Sequence, residues 1–129
     1  MARYLSAEWI DELDRAASTS ASLRAAAADV SLVVQQEVTG GPGGDVAWHV
    51  VLDHGDVAVR PGPAAEADVT FRQDLATAVA ISRGEMAAQA AFMVGRLRVG
   101  GDVAGLIRHQ RALAGIDDVF AAVRAGTEW

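Results

Sequence analysis

The sequence predicts a two-layer α+β domain, a five-stranded and mostly antiparallel sheet covered on one face by helices. Three observations predict it. Apolar residues recur every two positions from Val30 to Phe71, and at helical spacing before and after that stretch. Glycine and proline clusters separate the alternating runs. Within each run one parity is apolar and the other polar, so one sheet face is buried and the other is wet.

Each element has a local reason. Ser6 caps a first helix and Glu8 stands in its first turn, where the helix dipole favours a carboxylate. Leu5, Trp9, Leu13 and Ala16 recur at helical spacing until Ser18-Thr19-Ser20. Residues 23–28 read as a short second helix. Then Leu32, Val34, Gln36 and Val38 point inward, against Ser31, Gln35, Glu37 and Thr39. Gly40-Gly41-Pro42-Gly43-Gly44 is a turn. Trp48, Val50 and Leu52 alternate against His49 and Asp53, and His54-Gly55 makes the next tight turn. Val57 and Val59 continue the pattern to Pro61-Gly62-Pro63, and Val69 and Phe71 form a fourth strand.

Asp74 caps a helix bearing Leu75, Ala78 and Val79, which ends at Gly84. Residues 85–94 read as another helix, stopped by Gly95. Leu97 and Val99 make a short fifth strand. Asp102 caps a helix whose apolar stripe is Val103, Leu106, Ile107 and Gln110. Gly115 is expected to break it, leaving Ile116, Val119, Phe120 and Val123 for the last helix.

At 129 residues the chain is expected to form one domain over 1–129. A net charge of −6 repels phosphate backbones, so nucleic acid is not expected as a partner, and tight docking on an anionic bilayer is disfavoured. All eleven basic residues are arginine, a composition typical of GC-rich bacterial genomes. The absence of cysteine excludes disulfides and thiolate chemistry. The start lacks the apolar stretch of a secretory signal. No apolar run approaches the ~18 residues of a membrane span. A cytoplasmic protein without stable membrane insertion is expected.

No hydrolase, zinc-protease, P-loop or dinucleotide motif occurs. No catalytic residue, metal ligand or cofactor is assigned. The glycine-rich segment 40–44 joins two strands, whereas a phosphate cradle needs a helix to start there. Asp53, His54 and Asp56 read as a solvated hairpin tip. His49 lies on the outward sheet face and His109 at the edge of a helix stripe, and neither has a nucleophile beside it in sequence. Gln36 and Gln110 break the apolar pattern. Each either pairs within the protein or faces a cavity and orients a ligand's polar end. The run Ala-Ala-Gln-Ala-Ala-Phe-Met-Val at 87–94 is either a core helix or a lining with space beside Phe92 and Met93.

The segment from Gly84 to Leu113 resembles the sterol carrier protein 2 (SCP2) lipid-binding family. The matching parts are Gly84, Ala91-Phe92-Met93, the Gly95-Arg96-Leu97-Arg98-Val99 strand and the Gly101-Asp102 helix start. Ala67-Asp68-Val69-Thr70-Phe71, followed by the Asp74 cap, is similar as well, as is the meander before it. The resemblance spans roughly residues 30–113. It implies an internal apolar tunnel between sheet and helices, and a non-catalytic carrier of fatty acyl chains, sterols or similar lipids. Carried over, the lining comes from Phe71, Leu75, Val79, Phe92, Met93, Leu106 and Ile107. Val34 joins them from the sheet, with Gln36 or Gln110 at one end. The expected partner is a hydrophobic small molecule. Two other readings stand beside it. One is a small enzyme of bacterial specialised metabolism using the same cavity, with Gln36, His49 or His109 as its polar group. The other is an interaction module whose helical layer forms a homodimer.

Overall fold

The computed structural model describes residues 2–41 and 43–129. Pro42, part of the expected glycine-rich turn, lies outside them. The chain opens with β1 (Ala2–Arg3), α1 (Ala7–Thr19) and α2 (Ala21–Ala26). Three strands follow, β2 (Ser31–Gly41), β3 (Gly44–Asp53) and β4 (Asp56–Pro61). Next come β5 (Val69–Asp74), α3 (Leu75–Ser82), α4 (Ala88–Met93) and β6 (Leu97–Gly101). The chain closes with α5 (Val103–Arg108), α6 (Gln110–Arg124) and β7 (Thr127–Glu128).

The expected caps form. The side chains of Ser6, Asp74 and Asp102 accept from the backbone N–H groups of Trp9, Thr77 and Gly105. The β3–β4 hairpin turns through His54 at φ 49° and Gly55 at φ 93°, the two left-handed residues that a tight hairpin of this hand needs.

The main sheet has the order β4-β3-β2-β5-β6 and is antiparallel except between β2 and β5. That parallel pair requires the chain to cross from β4 over the sheet. Residues 62–68 make the crossing along the wet face, tied by Gly62 N–H to the Ala47 carbonyl and Ala64 N–H to Gln35 Oε1. Leu32, Val34, Val38, Trp48, Val50, Leu52, Val57 and Val59 are all buried, so the inward parity is the predicted one. Helices α1 and α3 pack on the sheet and both meet α6, which completes the second layer.

Aromatic rings join the layers. Trp48 of β3 meets Trp9 of α1 edge-on at 5.6 Å and Phe120 of α6 at 5.8 Å. Trp9 also meets Tyr4 at 4.8 Å, and Tyr4 meets Trp129 at 4.9 Å. The parallel pair β1–β7 ties the two ends of the chain together beside this cluster.

Several elements differ from expectation, and the helix expected over 23–28 is found at Ala21–Ala26. The helix expected over 85–94 begins only at Ala88. The pair β1–β7 was not foreseen, because two residues carry no readable period. Gly115 does not break a helix but lies within α6, and the break falls at His109. A Cβ at Gly115 would stand 2.9 Å from Leu23 Cδ1, so glycine here admits the close approach of α6 to α2.

Two outcomes are expected. Trp48→Ala should lower unfolding free energy by about 3–5 kcal/mol in urea titrations, as large aromatic truncations do. The second concerns Tyr4, whose phenol burial pushes up from 10.0 to about 12, against a smaller downward pull from its 2.9 Å hydrogen bond with Ser82. A raised folded-state value keeps its stabilising effect intact below pH 10 and removes it as pH climbs toward 12. Urea midpoints measured across that window should fall in the wild type and fall less in Tyr4→Phe.

Candidate functional site

The inward face of the sheet changes character along its width. On the β4–β3 side it meets the large rings of α1 and α6. On the β5–β6 side it meets small residues, since α3 buries Thr77 and Ala78, α4 buries Ala91, and α5 buries Gly105.

Polar groups gather where these two regions meet. Gln36 lies in register between Trp48 and Phe71, both on the same inward row. Two residues after Phe71, Gln73 shares that parity, and its Nε2 donates to Gln36 Oε1 at 3.0 Å. The indole Nε1 of Trp48 is buried with no partner among the described residues. A buried donor left unpaired is uncommon and calls for an acceptor.

A second polar pair follows directly along the chain. Thr77 is fully buried, and its Oγ1 accepts from Arg96 Nε at 3.1 Å. Hydrogen bonds from Thr77, with a smaller contribution from the Arg96 charge, hold the Asp74 carboxyl below the usual carboxylate range.

The structure gathers some predicted residues here and sends others outward. Val34 is buried in the main core, and Phe71 and Leu106 pack half-buried against it. Leu75 and Val79 are half-buried on α3. Phe92, Met93 and Ile107, expected to line a tunnel, instead stand 52%, 80% and 61% exposed. Gln110 is exposed too, since α5 stops at His109 and Gln110 opens the next helix. In the six-residue helices α4 and α5 the fully buried positions are Ala91 and Gly105, and Phe92, Met93 and Ile107 fall away from them, while at the start of α6 the buried position is Ala112 rather than Gln110.

A gap of about 10 Å³ lies between Leu23, Trp48, Val59 and Phe120, away from the predicted lining. Gln73, Thr77 and the free Trp48 indole were missed by sequence reasoning. Gln73 was legible by parity, two positions beyond Phe71, while Thr77 was hidden in an otherwise apolar helix. His49 lies on the other face of the sheet with Nδ1 2.8 Å from the Gly62 carbonyl, so it cannot serve the same site as Gln36. His109 is half-buried at the α5–α6 junction.

Amides, a hydroxyl and a guanidinium set beside an apolar lining are the kinds of group that fix a ligand's orientation in a pocket. The fold is a two-layer α+β domain with these polar groups set between its layers. The family model of the SCP-2 sterol transfer family matches residues 10–114, and the chain belongs to that family. A crystal structure of sterol carrier protein 2 has a TM-score of 0.77 at 25% identity, covering 92% of this chain and 97% of that one. The solution structure of a conserved hypothetical protein from Thermus thermophilus gives 0.77 at 24%, covering 100% and 93%. A palmitated SCP2-like protein from Aedes aegypti gives 0.55 at 25%, covering 89% and 94%. No curated protein matches the chain at a significant level. Membership places the chain among proteins with a general lipid-binding and lipid-transfer role.

The glutamine pair yields a sharp expectation. Gln73→Leu strands the Gln36 carbonyl and should cost about 1–2 kcal/mol, whereas Gln36→Leu with Gln73→Leu should be closer to neutral, because both partners then become apolar. Additive losses in a double-mutant cycle would show that the two amides do not interact.

Proposed function

We propose that the chain, acting as one unit over 1–129, binds and carries a hydrophobic small molecule bearing one polar end, of the class of fatty acids or sterols. The observation that carries this reading is the thin cover over β5 and β6, where Ala91 and Gly105 are all that α4 and α5 bury. An apolar chain inserted there would displace little packing and would lie against Val34, Phe71, Leu75, Val79 and Leu106. Its oxygen would be met by Gln36, Gln73 and the Trp48 indole. Burial would supply about 25 cal/mol per Å² of apolar surface before ordering costs are subtracted. In this reading Phe92, Met93 and Ile107 border the mouth, and Gln110 has no part in it. The family is generally one of non-catalytic carriers, and the same is proposed for this chain.

The test is uptake of a fluorescent fatty acid, with Leu106→Trp as the blocking variant. The wild type should bind at micromolar levels, and Leu106→Trp should bind at least about tenfold more weakly at an unchanged melting temperature. Gln36→Leu should narrow the preference for a fatty acid over the matching hydrocarbon by about fivefold, the worth of one hydrogen bond. A wild type that takes up no acyl chain, sterol or other hydrophobic metabolite would defeat the carrier reading.

A further inference from the structure

Helices α2 and α6 border a groove of about 270 Å³, lined by Ser22 and Ala26 of α2 and by Arg111, Ala114, Gly115 and Asp118 of α6. Ser22, Arg111, Ala114 and Asp118 are exposed. Apart from the two charged residues, nothing larger than serine lines it. Gly115 is where α6 closes on Leu23 of α2, so the floor of the groove is backbone and methyl groups.

The two charges are unpaired. Neither Arg111 nor Asp118 forms an ion pair among the described residues. They stand seven residues apart, about two helical turns, so they share one face of α6 and lie about 10 Å apart along its axis. Ala114 and Gly115 fall at the midpoint between them. Such a pattern is its own complement. Turned end for end about that midpoint, the helix places an arginine where the aspartate stood and an aspartate where the arginine stood.

We propose that this groove is the interface of a two-fold homodimer, in which α6 of one copy lies antiparallel against α6 of a second. Arg111 then meets the partner's Asp118, and Asp118 meets the partner's Arg111, as an isologous contact requires. The small residues at the centre let the two backbones approach closely, since interhelical distance is set by the side chains at the contact. A polyanion would satisfy Arg111 and repel Asp118, and a basic partner would do the reverse. The groove asks for one charge of each sign, two turns apart on a helix, and α6 itself carries that pattern. Each copy has a net charge of −6, which opposes association at long range, so attraction must come from charges at the contact. Exposed ion pairs are individually weak, and here they fix register and partner choice more than affinity. The inference is independent of the carrier reading, because no residue of the groove belongs to the proposed ligand lining.

The test is sedimentation velocity over a protein series from about 10 μM to 1 mM, the range in which a small interface associates. The wild type should show a concentration-dependent dimer. Arg111→Glu alone and Asp118→Arg alone each set like charges together at both ends of the contact. Each should weaken the dimer by about tenfold or more, with the wild type's melting temperature kept in dilute solution. An equimolar mixture of the two variants places opposite charges at both ends again, so a heterodimer should form where neither variant pairs with itself. A wild type that stays monomeric throughout the series overturns the proposal. So do single variants that dimerise as the wild type does, and so does a mixture in which association is not restored.

Discussion

The contact of Trp48 with Trp9 and Phe120 is the constraint on which the rest of the architecture depends. The helices are rich in alanine, which forms helix well but fills little space. The layers are therefore held apart at a set distance mainly by a few large rings, and those rings gather on the β3–β4 side. Tyr4 and Trp129 extend the cluster to the paired termini, so the two ends of the chain are closed onto the core by the same contact. Concentrating volume there leaves the β5–β6 side with Phe71 as its one inward ring. That half of the interior is covered by small residues.

Much of this arrangement was legible in the sequence. Strand parity, the His54-Gly55 hairpin turn and the caps at Ser6, Asp74 and Asp102 are encoded within a few neighbouring residues, and each forms as read. The inward placement of Gln36 and Trp48 followed from the same period of two. What failed was the orientation of α4 and α5. Val103, Leu106, Ile107 and Gln110 make a convincing stripe if size and hydrophobicity decide which side is buried. In six-residue helices joined to tight glycine turns, the approach of the backbone decides instead. A Cβ at Gly105 would collide with the Asp102 carboxylate that caps the same helix, so the cap itself requires glycine there. A reading by hydrophobicity gives no weight to residues as small as Ala91 and Gly105, and these are the buried ones.

The charge of the chain gives a similar lesson. A net −6 taken as one number points away from acidic surfaces of every kind. The number conceals a basic stretch of 26 residues, Met86 to Arg111, inside an acidic chain. Electrostatic attraction at short range is set by the local potential, which decays over a Debye length of about 8–10 Å in physiological salt. A surface lying against one part of the chain therefore feels the charges of that part, whatever the far side carries.

The closed interior and the exposed apolar edge are two aspects of one arrangement. The helices over β5 and β6 are short, and α4 has no side-chain hydrogen bond at its N-terminus. A helix of six residues draws most of its stability from packing rather than from its own hydrogen bonds. The packing available to α4 is Ala91 against β6, far less than α1 gains from Trp9, Ile10 and Leu13. α4 is therefore held more lightly than α1, and Phe92 and Met93 at its end would gain from exchanging water for an apolar surround. A domain whose large apolar side chains were all buried would hold a tunnel open or shut with equal firmness. Here several lie outside, on helices that bury only Ala91 and Gly105, so the lightly packed elements are also those that gain most from apolar contact.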